Sequence, residues 1–152
     1  IRPRRYPAGW LDPGPLGTLG CGLGFAMAAA LARPGEPVVL LLGDGAAGLD
    51  LMELEAAVRQ RLPFVAVVGN DGAWTQIRRT QVELYGPERA VATALSRARY
   101  DQVAVALGGY GEYVDRPEEI RPALDRALAS GRPAVVNVAL GPSDFRAGAI
   151  SV

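Results

Sequence analysis

The chain has 152 residues, 49% hydrophobic and 21% charged, with 16 basic and 16 acidic side chains and a formal net charge of zero. That size and composition suit one globular core, and the even balance excludes the basic footprint of a nucleic-acid or anionic-membrane binder. Histidine and lysine are both absent, which removes His-based zinc sites and nucleophile pairs, Schiff-base chemistry and the phosphate-binding loop that needs a lysine.

In chain order, the lead-in "RPRRYPAGWLDPGPLG" is rich in Pro and Gly and reads as irregular. "TLGCGLGFAMAAALA" (18–32) has the small side chains of a closely packed helix and stops at "RPGEP". Glycines interrupt this stretch before it reaches membrane-spanning length, so no membrane span is expected. The single cysteine, Cys21, excludes an internal disulfide and suits a reducing, cytoplasmic setting; within this helix it reads as a small core residue. "VVLLL" (38–42) is an unalternating apolar run, as in a strand buried on both faces of a parallel sheet. A loop, "GDGAAG", follows, then a helix over 51–61 in which Asp50 and Glu53 have capping-box spacing.

"PFVAVVG" (63–69) predicts a second buried strand, ending in a loop "NDGAWTQIRR". Residues 80–99 have no clear period, and "AVATALSRARYDQVAVALG" is expected to hold one or two helices. "YGEYV" (110–114) predicts a strand. "RPEEIRPALDRALASG" predicts a helix with Pro117 near its start and Gly131 at its end. "PAVVNVAL" (133–140) predicts a last buried strand before a polar tail. Strands alternating with helices imply an α/β domain with a parallel sheet and helices on both faces. Ligands of such sheets bind beyond the carboxyl ends of the strands, where "GDGAAG" and "NDGAW" fall.

"GDGAAG" has the G-x-G-x-x-G spacing of a dinucleotide loop, yet places Asp44 between the first two glycines. A carboxylate about 4 Å from a phosphate charge costs about 1 kcal/mol in water and about 4 kcal/mol at an effective dielectric near 20. Either the side chain turns away or a divalent cation lies between. Asp71, 27 positions later at the next strand end, favours the cation: magnesium commonly combines one or two carboxylates with phosphate oxygens and water.

"GDG" followed by "ND", with 26 residues between Asp44 and Asp71, resembles the signature of thiamine-diphosphate enzymes. "GTLGCGLGFAMAAALARPGEPVVLLLGDGAAG" and "LPFVAVVGNDGAWTQIRR" are similar to the C-terminal cofactor-binding domain of these enzymes. "WLDPGPLGTLG", "GNDGAWTQI" and "DFRAGAISV" most resemble the acetolactate-synthase-like, 2-hydroxyacyl-CoA lyase branch. The resemblance covers nearly the whole chain and implies the diphosphate-binding form of the thiamine-diphosphate fold.

It also implies roles. Asp44 and Asp71 would ligate magnesium by their side chains and Ala73 by its carbonyl. Gly43 opens the diphosphate loop, in which Gly45 and Ala46 offer N–H groups. Leu19 matches the bulky residue that holds the cofactor bent, and Gly17 the glycine whose carbonyl accepts a hydrogen bond from the 4′-amino group. Trp74 and Thr75 line the cofactor or substrate pocket. Position 71 is Asp where the wider superfamily usually has Asn, which implies a stricter metal requirement.

No residue here matches the glutamate that activates the aminopyrimidine ring; Glu53 and Glu55 follow the diphosphate loop on the wrong side. The resemblance therefore implies no catalytic residue in this chain. Residues 1–152 are expected to form a single C-terminal domain of a larger enzyme, inactive alone. It would need a pyrimidine-binding domain from the same or a partner subunit, within a homodimer or homotetramer. The expected substrate is a 2-hydroxyacyl-CoA to be cleaved; the alternative is a 2-oxo acid to be condensed, as in acetolactate synthesis. Two other classes stay open: a nicotinamide- or flavin-binding Rossmann module and a degenerate, non-catalytic domain. Arg78 and Arg79 read as solvated surface, Glu118 and Glu119 as a helix N-terminus, and Asp144, Phe145 and Arg146 as a family-like tail.

Overall fold

The computed structural model describes residues 9–141; the predicted tail residues Asp144, Phe145 and Arg146 lie outside them. Four strands, β1 (Val39–Gly43), β2 (Val65–Asn70), β3 (Tyr110–Val114) and β4 (Ala134–Ala139), form one sheet in the order β1-β2-β4-β3. Every pairing is parallel, with Gly43 opposite Gly69 and Asn70 opposite Ala139. All four carboxyl ends therefore share one edge. The predicted α/β architecture holds.

The helices are α1 (Gly22–Ala32), α2 (Asp44–Asp50), α3 (Leu54–Gln60), α4 (Thr75–Tyr85), α5 (Tyr100–Ala106) and α6 (Ile120–Ala129). The core is divided by the sheet. On one face Leu23 and Ala26 of α1, Ala47 of α2, Leu54 and Ala57 of α3 and Ala104 of α5 pack on Phe64, Ala66, Val68 and Val135. On the other, Ala123 and Ala127 of α6 pack on Val65, Val114, Val136 and Val138. Helices thus cover both faces, which is why β2 and β4 are apolar at consecutive positions rather than alternate ones. β1 is an edge strand, and Val39 and Leu41 remain half exposed on it, at 50% and 49%.

Several boundaries differ from the sequence reading. The first helix begins at Gly22, not at 18; residues 18–20 stay irregular, and Gly17 takes a left-handed conformation (φ 57°) after a single tight turn, Gly14–Leu16. "GDGAAG" is not a loop after its first glycine. Helix α2 starts at Asp44, and a tight turn at Leu51–Glu53 joins it to α3. The reason is an apolar stripe, Ala47, Leu51, Leu54 and Ala57, that runs across the turn into the core at helical spacing.

Asp50 does not cap the turn that follows it: its Oδ2 accepts a hydrogen bond from the Leu23 N–H at 2.9 Å, in the first turn of α1, fastening α1 to α2. The second loop is short too, since α4 begins at Thr75. That helix buries no residue and is supported on its surface by the Arg79–Glu83 pair at 2.7 Å. The unclear stretch contains the end of α4, a turn at Pro87–Arg89 and irregular chain before α5. Pro117 opens a tight turn ahead of α6, and Gly131 sits just beyond it with φ 62°.

Candidate functional site

β1 and β2 are neighbours in register, so the residues that follow them, Asp44 and Asp71, emerge side by side at the carboxyl edge. Asp44 is 2% exposed. Its Oδ1 accepts the Gly45 N–H at 2.9 Å and its Oδ2 the Gly72 N–H at 2.8 Å. The second bond ties the first acidic residue directly to the loop carrying the other. Asp71 is half-buried and held in the same manner: Oδ1 accepts the Ala73 N–H at 3.1 Å and Oδ2 the Thr75 hydroxyl at 2.5 Å.

A carboxylate has about four lone-pair positions, so each oxygen retains capacity for a cation. Among the described residues no arginine forms an ion pair with Asp44 or Asp71. Two adjacent carboxylates, one of them buried, thus have no ion-pair partner among the described residues. Among the same residues no backbone N–H takes the Ala73 carbonyl. Nor is there any group of three or more His, Cys, Asp or Glu suited to a metal. A cation held here would draw its other ligands from a carbonyl, a phosphate-bearing ligand and water, as magnesium does. The donor set fits that ion.

Trp74 explains the second glycine. A Cβ at Gly45 would lie 2.5 Å from Cε3 and Cζ3 of the Trp74 indole, so the ring rests directly on the glycine backbone. In this structure Gly45 directs its N–H to Asp44, while Ala46, half-buried, makes the next turn of α2. Gly43, in extended conformation, forms the N-cap of α2 without a side-chain bond.

The structure brings together Gly43, Asp44, Gly45, Ala46, Asp71, Ala73, Trp74 and Thr75. Gly17 and Leu19 precede the segment from Gly20 to Leu23, which packs at the opposite end of α2. A Cβ at Gly20 would stand 3.1 Å from the Leu49 Cβ, and Leu23 is bonded to Asp50. Leu19 is 52% exposed there. Glu55 pairs with Arg59 at 3.1 Å on the exposed face of α3. Arg78 is exposed, and Cys21 donates its thiol to the Thr18 carbonyl at 3.3 Å.

Two contributors carry no sequence signal. Tyr100, at the start of α5, donates its hydroxyl to the Asp44 carbonyl at 3.0 Å; burial raises its pKa, and the Asp44 charge adds to this. The chain at 93–95 holds the other loop, through Trp74 N–H to the Thr93 carbonyl and Leu95 N–H to the Gly72 carbonyl, both 2.8 Å. No motif in the sequence joins Tyr100 or the chain at 93–95 to these two strand ends.

Comparison with known proteins agrees with this geometry. The family model described as "Thiamine pyrophosphate enzyme, C-terminal TPP binding domain" matches residues 1–138. The 2-hydroxyacyl-CoA lyase 2 of Caenorhabditis elegans is 48% identical over all of this chain and 24% of its own length. A probable acetolactate synthase of Mycobacterium bovis is 53% identical over 90% of this chain and 25% of its own. The chain therefore spans about a quarter of the length of these relatives. Among solved structures, the thiamine diphosphate-dependent 4-hydroxybenzoylformate decarboxylase of Rhodococcus jostii RHA1 superposes with a TM-score of 0.78 at 28% identity. That match covers 84% of this chain and 24% of the decarboxylase. The parallel sheet, the paired strand ends and the family match over most of the chain lead to one assignment: this chain belongs to the thiamine pyrophosphate enzymes and carries their C-terminal TPP-binding domain.

Proposed function

We propose that residues 1–152 are the magnesium- and diphosphate-anchoring domain of a larger enzyme that makes or breaks a bond next to a carbonyl, with a 2-hydroxyacyl-CoA as the favoured substrate. The observation that carries this is the bond from Gly72 N–H to Asp44 Oδ2, which draws two carboxylates, neither ion-paired among the described residues, to one strand edge. Asp44, Asp71 and the Ala73 carbonyl would hold magnesium, whose charge would offset the repulsion between these carboxylates and a diphosphate. Thr75 orients Asp71 through its hydroxyl. Trp74 covers the turn at Gly45, and Gly45 and Ala46 present backbone N–H groups, that of Gly45 by giving up its bond to Asp44 Oδ1. Gly17 and Leu19 meet the organic part of the cofactor, the first by its carbonyl and the second by its exposed side chain. Thiamine diphosphate, when bound, supplies the nucleophilic carbon and the electron sink. The activating glutamate belongs to a pyrimidine-binding domain of the same or a partner subunit, so the lone chain binds without turning over. A cytoplasmic homodimer or homotetramer is the complete form under this reading. Among the described residues no helix is long and apolar enough to cross a membrane.

Calorimetric titration of thiamine diphosphate into the chain, with and without magnesium and beside Asp44→Ala, tests the site. Binding that requires magnesium and disappears in the variant is expected; equal binding with and without the metal refutes the bridge. A 2-oxo acid carboligase is the second reading, favoured by the 53% identity to the mycobacterial relative. Assaying the full-length enzyme for 2-hydroxyacyl-CoA cleavage against 2-oxo acid condensation separates the two.

A further inference from the structure

One buried polar network is not used by the site as described. Asn137 sits in the middle of β4, opposite Val68 and between Val136 and Val138, and is wholly buried. Asparagine is poorly suited to a central strand, and an amide buried there destabilises the fold unless bonded. Its Nδ2 donates to the Ala98 carbonyl at 3.0 Å and to Asp101 Oδ1 at 3.1 Å. Its Oδ1 accepts from Asn70 Nδ2 at 3.1 Å, and Asn70 Nδ2 also donates to the Ala98 carbonyl, at 2.9 Å. Asp101, 4% exposed, is gripped from outside by Arg99 at 2.9 and 2.7 Å.

Two buried amides thus converge on one carbonyl, that of Ala98. The chain leading to it bonds the metal loop on both sides of Ala73, at Gly72 through Leu95 and at Trp74 through Thr93. It also packs against Gly72, where a Cβ would meet the Arg97 Cγ at 3.1 Å. Asn70 itself immediately precedes Asp71. A leucine would fill the Asn137 position with less desolvation, but it could not bind Ala98. Both polar atoms of the Asn137 amide and the Asn70 Nδ2 are bonded, while Asn70 Oδ1 has no partner among the described residues; bonds of this kind at buried polar groups rigidify and specify one arrangement.

We propose that Asn137 is a positioning residue for the loop Asp71–Ala73, acting through Ala98 and the chain at 93–98; its bearing on metal binding rests on the proposed function. Magnesium demands near-ideal octahedral geometry, whereas calcium accepts looser and more variable coordination. A loop that has lost its support therefore penalises magnesium more.

The test compares the wild-type chain with Asn137→Leu, with the milder Asn137→Ser should the first not fold, and with Val136→Ala. Val136 adjoins Asn137 but packs on the opposite face of the sheet, so its variant lowers stability without touching the network. In the absence of any ligand, hydrogen exchange at the Trp74 and Leu95 amides should accelerate about tenfold or more in the Asn137 variants and not in Val136→Ala. Thiamine diphosphate affinity should fall about tenfold with magnesium and less than about threefold with calcium. Exchange that is unchanged, or that rises equally in Val136→Ala, overturns the proposal, as does an equal loss with both metals. A wild-type chain without magnesium-dependent binding counts against the proposed function alone; the exchange comparison still decides the network.

Discussion

Replacing Gly45 by alanine isolates the contact between the first turn of α2 and the loop after β2. The new Cβ would stand 2.5 Å from two carbons of the Trp74 ring and 2.7 Å from a third, well inside van der Waals contact. The ring must move, because the other party is helix backbone. Overpacking of this kind costs about 1–3 kcal/mol. Against it stands the intrinsic gain of alanine over glycine in a helix, up to about 1 kcal/mol. With Trp74 intact the clash wins, and Gly45→Ala should destabilise by roughly 1–2 kcal/mol. With Trp74 replaced by alanine the obstacle is gone, and the same substitution should be neutral or stabilising by up to about 1 kcal/mol. Urea unfolding of the wild type, both single variants and the double variant measures this, with far-ultraviolet circular dichroism as the probe. A change of sign for Gly45→Ala between the two backgrounds is expected, with a coupling of about 1–3 kcal/mol. Additive effects within about 0.5 kcal/mol would refute the contact.

Tyr100→Phe deletes the hydroxyl that donates to the Asp44 carbonyl, and should cost about 0.5–1.5 kcal/mol in denaturant unfolding. Gly111 faces the Asp101 carbonyl so closely that no Cβ fits. Since backbone, unlike an indole, cannot swing aside, Gly111→Ala should lose about 3 kcal/mol or more by thermal unfolding. Acid should destabilise the chain through Asp101 and Glu112. Burial pushes Asp101 upward, but hydrogen bonds from Arg99 and Asn137 and the Arg99 charge outweigh it and hold its pKa low. Glu112 is held low by its hydrogen bond to Arg126, against burial, with a further bond from Tyr110. A depressed folded pKa means the folded state binds fewer protons than the unfolded state. The contribution is therefore complete above the usual carboxylate value, about 4, and lost as the pH falls through the lower folded values. Unfolding midpoints measured from pH 6 down to 2 should drop below about pH 4, and Arg99→Leu should flatten that drop.

Local pattern alone determined much of this protein. Three apolar runs and the mixed stretch "YGEYV" became four parallel strands, and in β2 and β4 cover on both faces leaves no place for alternation. Asp44 and Asp71 could be paired in advance because consecutive strands of such a sheet deliver their ends to one edge. What local pattern missed depended on packing across the molecule. "GDGAAG" carries loop residues, yet the stripe from Ala47 to Ala57 draws it into helix. Asp50 has the spacing of a cap but spends its carboxylate on Leu23 of another helix. The reach of Tyr100 to Asp44, the Trp74 ring on Gly45 and the convergence of Asn70 and Asn137 on Ala98 join residues 28 to 67 positions apart. These contacts leave no period or spacing in the chain. They exist only once the sheet has set its strands side by side.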